Sequence, residues 1–204
     1  IGVGKEADVY VGITSNEEKV AVKFNRIGRT SFTRIKLYRP DFIDKRHISW
    51  LYISRLVAQR EYEALQLLSP IAKVPKPIAW NRHAIVMEFI EGVELVELTD
   101  TDLTKEEASE ILDKVLEEYK KIVEFGIIHS DMSLYNIVLK RDGDILIIDW
   151  PQYLTTAFPD AKYYLERDLG VLLNSFKRKW RVEKDWSEVW KEFEEAFKKS
   201  LKEA

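Results

Sequence analysis

Residues 127–149 read IIHSDMSLYNIVLKRDGDILIID and combine two apolar runs with several polar side chains. The two apolar runs flank Arg141-Asp142-Gly143-Asp144, a turn sequence that predicts a β-hairpin. The hairpin returns the chain, so that Asp149 comes back to the polar residues before the first strand, Asp131 and Asn136. Phosphoryl transfer needs one carboxylate near the attacking group, and an amide and a second carboxylate to hold Mg²⁺ at the phosphates. These three side chains therefore predict a phosphoryl-transfer site.

The spacing of the three residues supports this interpretation. Asn136 follows Asp131 by five residues, which is the spacing of the catalytic loop in protein kinases. Taken singly, Asp131 and Asn136 are equally explained as turn caps, and Asp149 as the end of a strand. All three together, at these spacings, favour catalysis.

Composition limits the other classes of function. The chain has 204 residues, of which 46% are hydrophobic and 33% charged, enough for one sizeable core or two small lobes. The net charge of −3 excludes a uniformly basic nucleic-acid coat, and the absence of cysteine excludes disulfides and thiolate metal sites. We find no signal peptide and no apolar run of the roughly 18 residues that a membrane span needs. We therefore expect a cytoplasmic protein that binds no membrane.

The hydrophobic pattern predicts mainly strands in the first half of the chain. Alternation over residues 1–24, around a turn-like connector at 14–18, predicts a hairpin. Apolar residues at helical spacing predict a helix from Trp50 to Leu68. Residues 84–90 are typical of a buried strand.

In the second half the pattern is mostly helical. Thr104 is the expected N-cap of a helix that Gly126 closes, and further helices fill residues 160–199. The fold class that we predict is α+β, a two-lobed, protein-kinase-like fold. Its β-rich N-lobe covers residues 1–91, and its mainly helical C-lobe covers residues 92–204.

A glycine-rich turn and a strand lysine in the first half suit phosphate binding. Residues 1–10 place two glycines before a strand, and such a turn lets backbone N–H groups approach phosphates, although a plain hairpin is the alternative. Val20-Ala21-Val22-Lys23 matches the strand lysine of kinases. A buried lysine needs an acidic or phosphate partner. Glu61 on the predicted helix fits this role better than its rival Glu63.

The segment Met87-Glu88-Phe89-Ile90 follows the buried strand and precedes Gly92. In a kinase this position is the hinge, where backbone groups of Glu88 and Ile90 would hydrogen-bond to adenine. A strand that simply leaves the core would look the same.

Five further segments, spread in order over nearly the whole chain, are more specific. They are Gly4-Lys5-Glu6-Ala7-Asp8-Val9-Tyr10, Gly28-Arg29-Thr30-Ser31-Phe32, Ser49-Trp50-Leu51-Tyr52-Ile53-Ser54-Arg55, Ile148-Asp149-Trp150-Pro151-Gln152 and Tyr163-Tyr164-Leu165-Glu166-Arg167-Asp168. On these segments the chain resembles the RIO family of atypical protein kinases, and within it the Rio-two type. The resemblance implies a compact kinase fold, truncated after the metal-binding Asp149, without the activation segment and peptide-binding helices of ordinary kinases. It also implies a winged-helix domain before Ile1, so we expect a fragment of a longer protein.

The resemblance also implies roles for the site residues. Lys23 would order the phosphates and Glu61 would orient it, Asp131 would be the catalytic base, and Asn136 and Asp149 would hold Mg²⁺, with Mn²⁺ as an alternative. The catalytic set is thus Asp131, Lys23 and Asp149. The ATP-binding set that we expect comprises Ile1, Val3, Lys5, Val9, Ala21, Lys23, Glu61, Met87, Glu88, Ile90, Asn136 and Ile148.

Three positions depart from the family's pattern. Ala7 stands where a serine often touches phosphate, Ser130 replaces the glycine before the catalytic Asp131, and Trp150 replaces phenylalanine. None of these changes removes a catalytic side chain. Asp168 keeps the family's structural role, in which it would brace the catalytic loop.

Residues 26–60 form a basic segment in an acidic chain, with nine Lys or Arg side chains against Asp41 and Asp44, a net charge of +7. A flexible loop over residues 26–48 is one interpretation. Aromatic residues interleave with the charges, however, as they do on RNA-contacting surfaces. Because the family acts in maturation of the small ribosomal subunit, we expect the pre-ribosomal small subunit and its RNA as partners beside ATP. We expect the chain itself to be a monomer.

The function that we predict is that of an ATP- and Mg²⁺-dependent serine/threonine-type protein kinase or ATPase acting in small-subunit maturation. Two alternatives stay open: a nucleotide-switched ribosome-assembly module with little phosphotransfer, and a small-molecule phosphotransferase of related fold. The phosphate acceptor is also open. It is either the carboxylate of Asp149, which would form an acyl phosphate, or the hydroxyl of Ser31 or Thr33.

Overall fold

The fold is described by a computed structural model that covers residues 2–3, 7–25 and 50–203. The strands in these ranges are β1 (Gly2–Val3), β2 (Ala7–Ile13), β3 (Lys19–Asn25), β4 (Pro77–Asn81), β5 (Ala84–Glu88), β6 (Gly92–Glu94), β7 (Ile127–Ile128), β8 (Ile137–Lys140), β9 (Ile145–Ile147) and β10 (Leu154–Thr155). The helices are α1 (Trp50–Leu68), α2 (Lys105–Glu124), α3 (Ala161–Trp180) and α4 (Trp186–Glu203), and a 3₁₀ turn covers Leu134–Asn136.

The chain divides into two compact units. The first comprises Ile1–Ser69, Pro75–Ile90 and Trp150–Gln152, and the second comprises Pro70–Val74, Glu91–Asp149 and Tyr153–Ala204. The lobe boundary that the sequence suggests at residue 91 stays a prediction about domains.

The first unit is built on an antiparallel sheet in which the described strands follow the order β1-β2-β3-β5-β4. The predicted hairpin is confirmed, because β2 pairs with β3 from Ala7↔Asn25 to Ile13↔Lys19. Helix α1, which has the predicted bounds, contacts β3, β4 and β5. Its apolar stripe supplies the core of this unit, with these residues no more than 2% exposed: Ile53, Ala58, Ala64, Leu65 and Leu68.

The second unit packs around α2, which contacts α3, α4 and β9. Its start is a capping box, as the sequence suggests. The Thr104 hydroxyl accepts from the Glu107 N–H at 3.1 Å, and the Glu107 carboxylate accepts from the Thr104 N–H at 2.8 Å. These two bonds satisfy N–H groups that a helix start otherwise leaves unpaired. The helix ends at Glu124, and Gly126 just beyond it has a φ of 102°, a conformation that glycine adopts without strain.

The hairpin that carries the predicted site is also present. Strands β8 and β9 pair from Ile137↔Ile147 to Leu139↔Ile145, and Gly143, with a φ of 79°, closes the turn. Strand β6 adds to the other edge of β8. A second small ladder joins β7 to β10. The second unit therefore contains more sheet than the helical pattern indicated, because these short strands pair across long sequence separations.

The structure shortens the strand predicted over residues 84–90, since β5 ends at Glu88. The flexible segment predicted over residues 26–48 lies outside the described residues. Within the described ranges, none of the helices combines the length and the hydropathy that crossing a membrane would require.

The close contact between β6 and β8 predicts that Gly92→Ala lowers stability. A Cβ atom at position 92 would lie 2.5 Å from Val138 Cγ1 and 2.6 Å from the carbonyl oxygen of Leu139. The backbone must shift to admit it, and overpacking of this kind costs about 1–3 kcal/mol. Differential scanning calorimetry should therefore show a lower Tm.

Gly170→Ala is the matched control. A Cβ atom at Gly170, inside α3, meets nothing within 4 Å. Replacing glycine in a helix interior should raise stability by roughly 0.5–1 kcal/mol. Equal Tm values for the two variants would show that the approach of β6 to β8 imposes no steric limit.

Candidate catalytic site

A buried ion pair lies at the centre of the first unit. Lys23 on β3 is 7% exposed and Glu61 on α1 is 1% exposed, and Lys23 Nζ donates to Glu61 Oε1 at 2.7 Å. The rival Glu63 lies on the exposed side of α1, where it accepts from Gln59 Nε2 at 2.8 Å. The pairing predicted between Lys23 and Glu61 is therefore present. Helical spacing decides between the two glutamates, since only Glu61 falls on the buried stripe.

The predicted base-contacting side chains share one sheet face with Lys23. Val9 pairs directly with Lys23, and Ala21 pairs with Met87, and directly paired residues point to the same side of a sheet. Ala21 and Met87 are both 8% exposed, and Val9 is half-buried. This face thus offers an apolar surface beside the buried ammonium group of Lys23.

Part of the backbone at the end of β5 is already hydrogen-bonded within the protein. The Glu88 N–H donates to the Lys76 carbonyl at 2.8 Å, and the Glu88 carboxylate accepts from the Lys76 N–H at 3.2 Å. A ligand contact from the Glu88 backbone would therefore use its carbonyl oxygen. Ile90 is half-buried and lies just beyond the end of the strand.

In the second unit, Asp168 on α3 holds the loop that contains Asp131. Its carboxylate accepts from the Ser130 N–H at 2.7 Å and from the Met132 N–H at 3.2 Å. Asp168 is 1% exposed, and these hydrogen bonds offset part of the cost of desolvating its charge. The bracing contacts that the family resemblance implied for Asp168 are present.

His129 connects this loop to the residue that precedes Asp149. The Asp131 N–H lies 3.3 Å from His129 Nδ1, and His129 Nε2 lies 3.0 Å from the Ile148 carbonyl oxygen. A backbone N–H can only donate, so Nδ1 must accept and the ring proton must be on Nε2, which donates to Ile148. One neutral imidazole therefore fixes two backbone segments.

Asn136 and Asp149 supply the oxygen atoms expected of a magnesium site. Asn136 Nδ2 donates to the Asp131 carbonyl at 2.8 Å, so the side-chain oxygen of Asn136 is the atom suited to bind a cation. The Ile148 N–H donates to the Asn136 carbonyl at 2.9 Å. This hydrogen bond places Asn136 beside the residue that precedes Asp149. An amide oxygen and a carboxylate are hard donors, which fit Mg²⁺.

Glu94, at the end of β6, lies near other negatively charged side chains. Burial raises the pKa of Glu94, and the charges of Glu97 and Asp149 raise it further. The negative charges that raise the pKa of Glu94 also create a potential that favours a bound cation.

Two of the site residues have a left-handed backbone. Ser130 has a φ of 64° and Asp149 a φ of 67°. Aspartate tolerates this region better than most residues, whereas serine occupies a position that is usually glycine in the family the chain resembles. Arg167 donates to the Ser130 carbonyl and lies over the Tyr164 ring at 4.8 Å. Sequence reasoning gave Arg167 no role, because only its position next to Asp168 sets it apart.

The predicted site residues fall into two groups, one in each unit. The first unit holds Val9, Ala21, Lys23, Glu61, Met87, Glu88 and Ile90, and the second holds Asp131, Asn136, Ile148 and Asp149. Val3 in β1 pairs with Asp8 in β2, and Ile1 and Lys5 lie outside the described residues.

Comparison with known proteins identifies close relatives. The family model described as the RIO domain matches residues 8–189. The RIO-type serine/threonine-protein kinase Rio2 of Methanocaldococcus jannaschii is 49% identical over 186 residues, covering 91% of this chain and 68% of that protein. The serine/threonine-protein kinase RIO2 of Caenorhabditis elegans is 37% identical over 200 residues, covering 98% of this chain but 36% of that protein.

Solved structures agree on the fold. The Rio2 kinase of Chaetomium thermophilum matches all of this chain with a TM-score of 0.72 at 23% identity, over 72% of its own length. The same kinase in an ADP/Mg²⁺-phosphoaspartate complex matches with a TM-score of 0.69 at 24% identity, over 70% of its length. The predicted fold class, an α+β protein-kinase-like fold, is confirmed.

The left-handed backbone at Ser130 predicts that Ser130→Gly is more stable than Ser130→Ala. Both variants remove the hydroxyl, so their difference isolates the backbone. A Cβ atom in the left-handed region costs roughly 1–2 kcal/mol, and the greater freedom of glycine in the unfolded chain offsets part of this. Chemical denaturation should place the glycine variant about 1 kcal/mol above the alanine variant. A more stable alanine variant would mean that Ser130 carries no backbone strain.

Proposed function

The chain belongs to the RIO family, in its Rio2 branch, and from that premise we propose that it is an ATP- and Mg²⁺-dependent phosphotransferase. The observation that carries the proposal is the set of buried polar contacts around two kinase motifs. One is the 2.7 Å pair of Lys23 with Glu61, and the other is the loop in which Asn136 holds the Asp131 carbonyl. Buried charges are costly unless they have partners, and both groups suit a triphosphate with its metal.

The first unit would bind the base and the phosphates of ATP. Val9, Ala21 and Met87 offer an apolar face for adenine, which lies beside the ammonium of Lys23 on the same side of the sheet. The Glu88 carbonyl would accept from the adenine amino group, and the Ile90 N–H would donate to a ring nitrogen. Lys23, held in place by Glu61, would contact the phosphates.

Asn136 and Asp149 would hold Mg²⁺, with Mn²⁺ as an alternative. Their hard oxygen donors and the acidic surroundings reported by Glu94 support this assignment. The metal, when bound, would neutralise phosphate charge as the terminal P–O bond breaks. A relative of the same type, from Chaetomium thermophilum, has been solved as an ADP/Mg²⁺-phosphoaspartate complex.

Two acceptors for the γ-phosphoryl group are compatible with this chain. In the first, a Ser or Thr hydroxyl attacks phosphorus, its proton passes to the Asp131 carboxylate, and the bond to the bridging oxygen breaks with its electron pair leaving on ADP. In the second, a carboxylate oxygen of Asp149 attacks and forms an acyl phosphate, with ADP again as leaving group. Water then attacks that phosphorus, Asp131 takes its proton, and inorganic phosphate leaves. The second route makes the domain an ATPase.

Small ribosomal subunit maturation is the cellular process that we propose, with the pre-ribosomal small subunit and its RNA as partners in the cytoplasm. Family membership and the net charge of +7 over residues 26–60 support it. Most of that segment lies outside the described residues, so the support is compositional. We also propose that the chain has an N-lobe over residues 1–91 and a C-lobe over residues 92–204.

Three substitutions test the proposed activity. Lys23→Ala and Asp149→Asn should abolish phosphotransfer, and Asp149→Asn should also weaken Mg²⁺-dependent nucleotide binding, because a carboxylate ligand is lost. Asp131→Ala should spare nucleotide binding and lower turnover by about 10²–10⁴-fold, as expected for loss of a general base. Turnover is measured with γ-labelled ATP, and binding with a fluorescent ATP analogue.

Asp142→Asn is the matched control for Asp149→Asn. Asp142 is an exposed aspartate in the adjoining turn and pairs with Lys140 at 3.0 Å. It should keep wild-type turnover and binding. Wild-type turnover in Asp131→Ala would assign the base to another residue, and wild-type turnover in Asp149→Asn would refute the metal site.

The chemical stability of the phosphorylated protein distinguishes the two acceptors. An acyl phosphate on Asp149 is cleaved by hydroxylamine and by alkali, whereas a serine or threonine phosphate resists hydroxylamine. We expect label from γ-labelled ATP to be lost from the denatured protein on hydroxylamine treatment, and to be absent in Asp149→Asn. Label that survives and maps to Ser31 or Thr33 would exclude the acyl phosphate and establish hydroxyl transfer.

A further inference from the structure

Tyr119 is a buried titratable residue to which the proposed chemistry assigns no role. It lies on α2, is 0% exposed, and its hydroxyl reaches the loop that contains Asp131. The hydroxyl lies 2.7 Å from Asp168 Oδ2 and 3.3 Å from the backbone nitrogen of His129. A buried phenol hydroxyl needs hydrogen-bond partners, and here one partner belongs to that loop and the other is the carboxylate that holds it.

The direction of both hydrogen bonds follows from the partners. The His129 N–H can only donate, so the Tyr119 oxygen accepts there. The single phenolic proton is then donated to the Asp168 carboxylate. Burial raises the pKa of Tyr119 well above its usual value, and the charge of Asp168 raises it further, so the phenol keeps its proton.

These two bonds complete the restraint of the loop. The N–H groups of residues 129, 130, 131 and 132 donate in turn to the Tyr119 hydroxyl, the Asp168 carboxylate, the His129 ring and the Asp168 carboxylate again. Ser130 adopts its left-handed backbone within this run. A strained residue persists only where its surroundings determine its geometry. Tyr119 contributes twice, once directly through His129 and once through Asp168.

We propose that Tyr119 is a positioning residue for phosphotransfer, which sets the backbone of residues 129–132 and thereby the reach of the Asp131 carboxylate. This inference rests on the proposed function, since it concerns the same loop. Removing the hydroxyl takes an acceptor from the His129 N–H and a donor from Asp168. The loop would then relax toward a less strained backbone, and Asp131 would move from the attacking group.

Tyr119→Phe tests the proposal, because it removes the hydroxyl and keeps the ring. Misplacing a catalytic group by a fraction of an ångström to an ångström lowers turnover by roughly ten- to a hundredfold. We expect a kcat loss in that range with little change in the KM for ATP, because Tyr119 contacts Asp168, His129 and Phe193, and none of these three is proposed to bind the nucleotide. Hydrogen exchange of the backbone amides of residues 129–132 should be faster in the variant.

Phe193→Leu is the matched control for a purely structural role. The Phe193 ring on α4 packs against the Tyr119 ring at 5.6 Å between centroids, so this change loosens the same core contact and leaves the hydroxyl in place. It should lower Tm with kcat and amide exchange at residues 129–132 unchanged. A similar loss of kcat in both variants, or wild-type kcat in Tyr119→Phe, would overturn the proposal.

Amide exchange separates failure of this inference from failure of the proposed function. A wild-type protein without any phosphotransfer would refute the proposed function. In that case the exchange rates still decide the role of Tyr119: faster exchange at residues 129–132 in Tyr119→Phe alone supports it, and unchanged exchange overturns it.

Discussion

The buried carboxylate of Asp168 joins two helices of the second unit to the loop that contains Asp131. It is 1% exposed and gathers hydrogen bonds from the Ser130 and Met132 amides and from the Tyr119 hydroxyl. Burial raises the pKa of Asp168 even against these hydrogen bonds, so the bonds offset only part of the cost of desolvating its charge. A single buried charge thus ties α2, α3 and the loop that contains Asp131 together.

Further hydrogen bonds hold the backbone of residues 131, 136 and 148. His129 links the Asp131 amide to the Ile148 carbonyl, and Asn136 links to the Asp131 carbonyl with its own carbonyl engaged by Ile148. Main-chain groups have little conformational freedom, so a hydrogen bond to one of them fixes the position of the residue that carries it. The groups proposed as base and as metal ligands are therefore parts of one hydrogen-bonded frame. In the first unit, the pair of Lys23 with Glu61 fixes a side chain by a different means, a buried charge opposite a buried charge.

Sequence alone was sufficient where a pattern has one physical cause. Helical spacing gave α1 its bounds and selected Glu61 over Glu63, and turn chemistry gave the hairpin at Gly143. It was insufficient where contacts join distant segments. The pairing of β7 with β10 and the polar contacts of Tyr119 leave no periodic signal, because an apolar helix face reads the same with or without a hydroxyl at its end. Ser130 was recognised as a departure, but its φ of 64° was not predictable without the surrounding bonds.

The left-handed backbone of Asp149 has a consequence for which acid can occupy that position. This region of φ and ψ favours short polar side chains such as Asp and Asn over longer ones. Glutamate would keep the negative charge but fit the main chain less well and carry the carboxylate farther from it. Asparagine would keep the main-chain conformation but lose the charge. A residue at this position must therefore meet two separate requirements, a negative charge on a short side chain and tolerance of the left-handed backbone. Aspartate meets both.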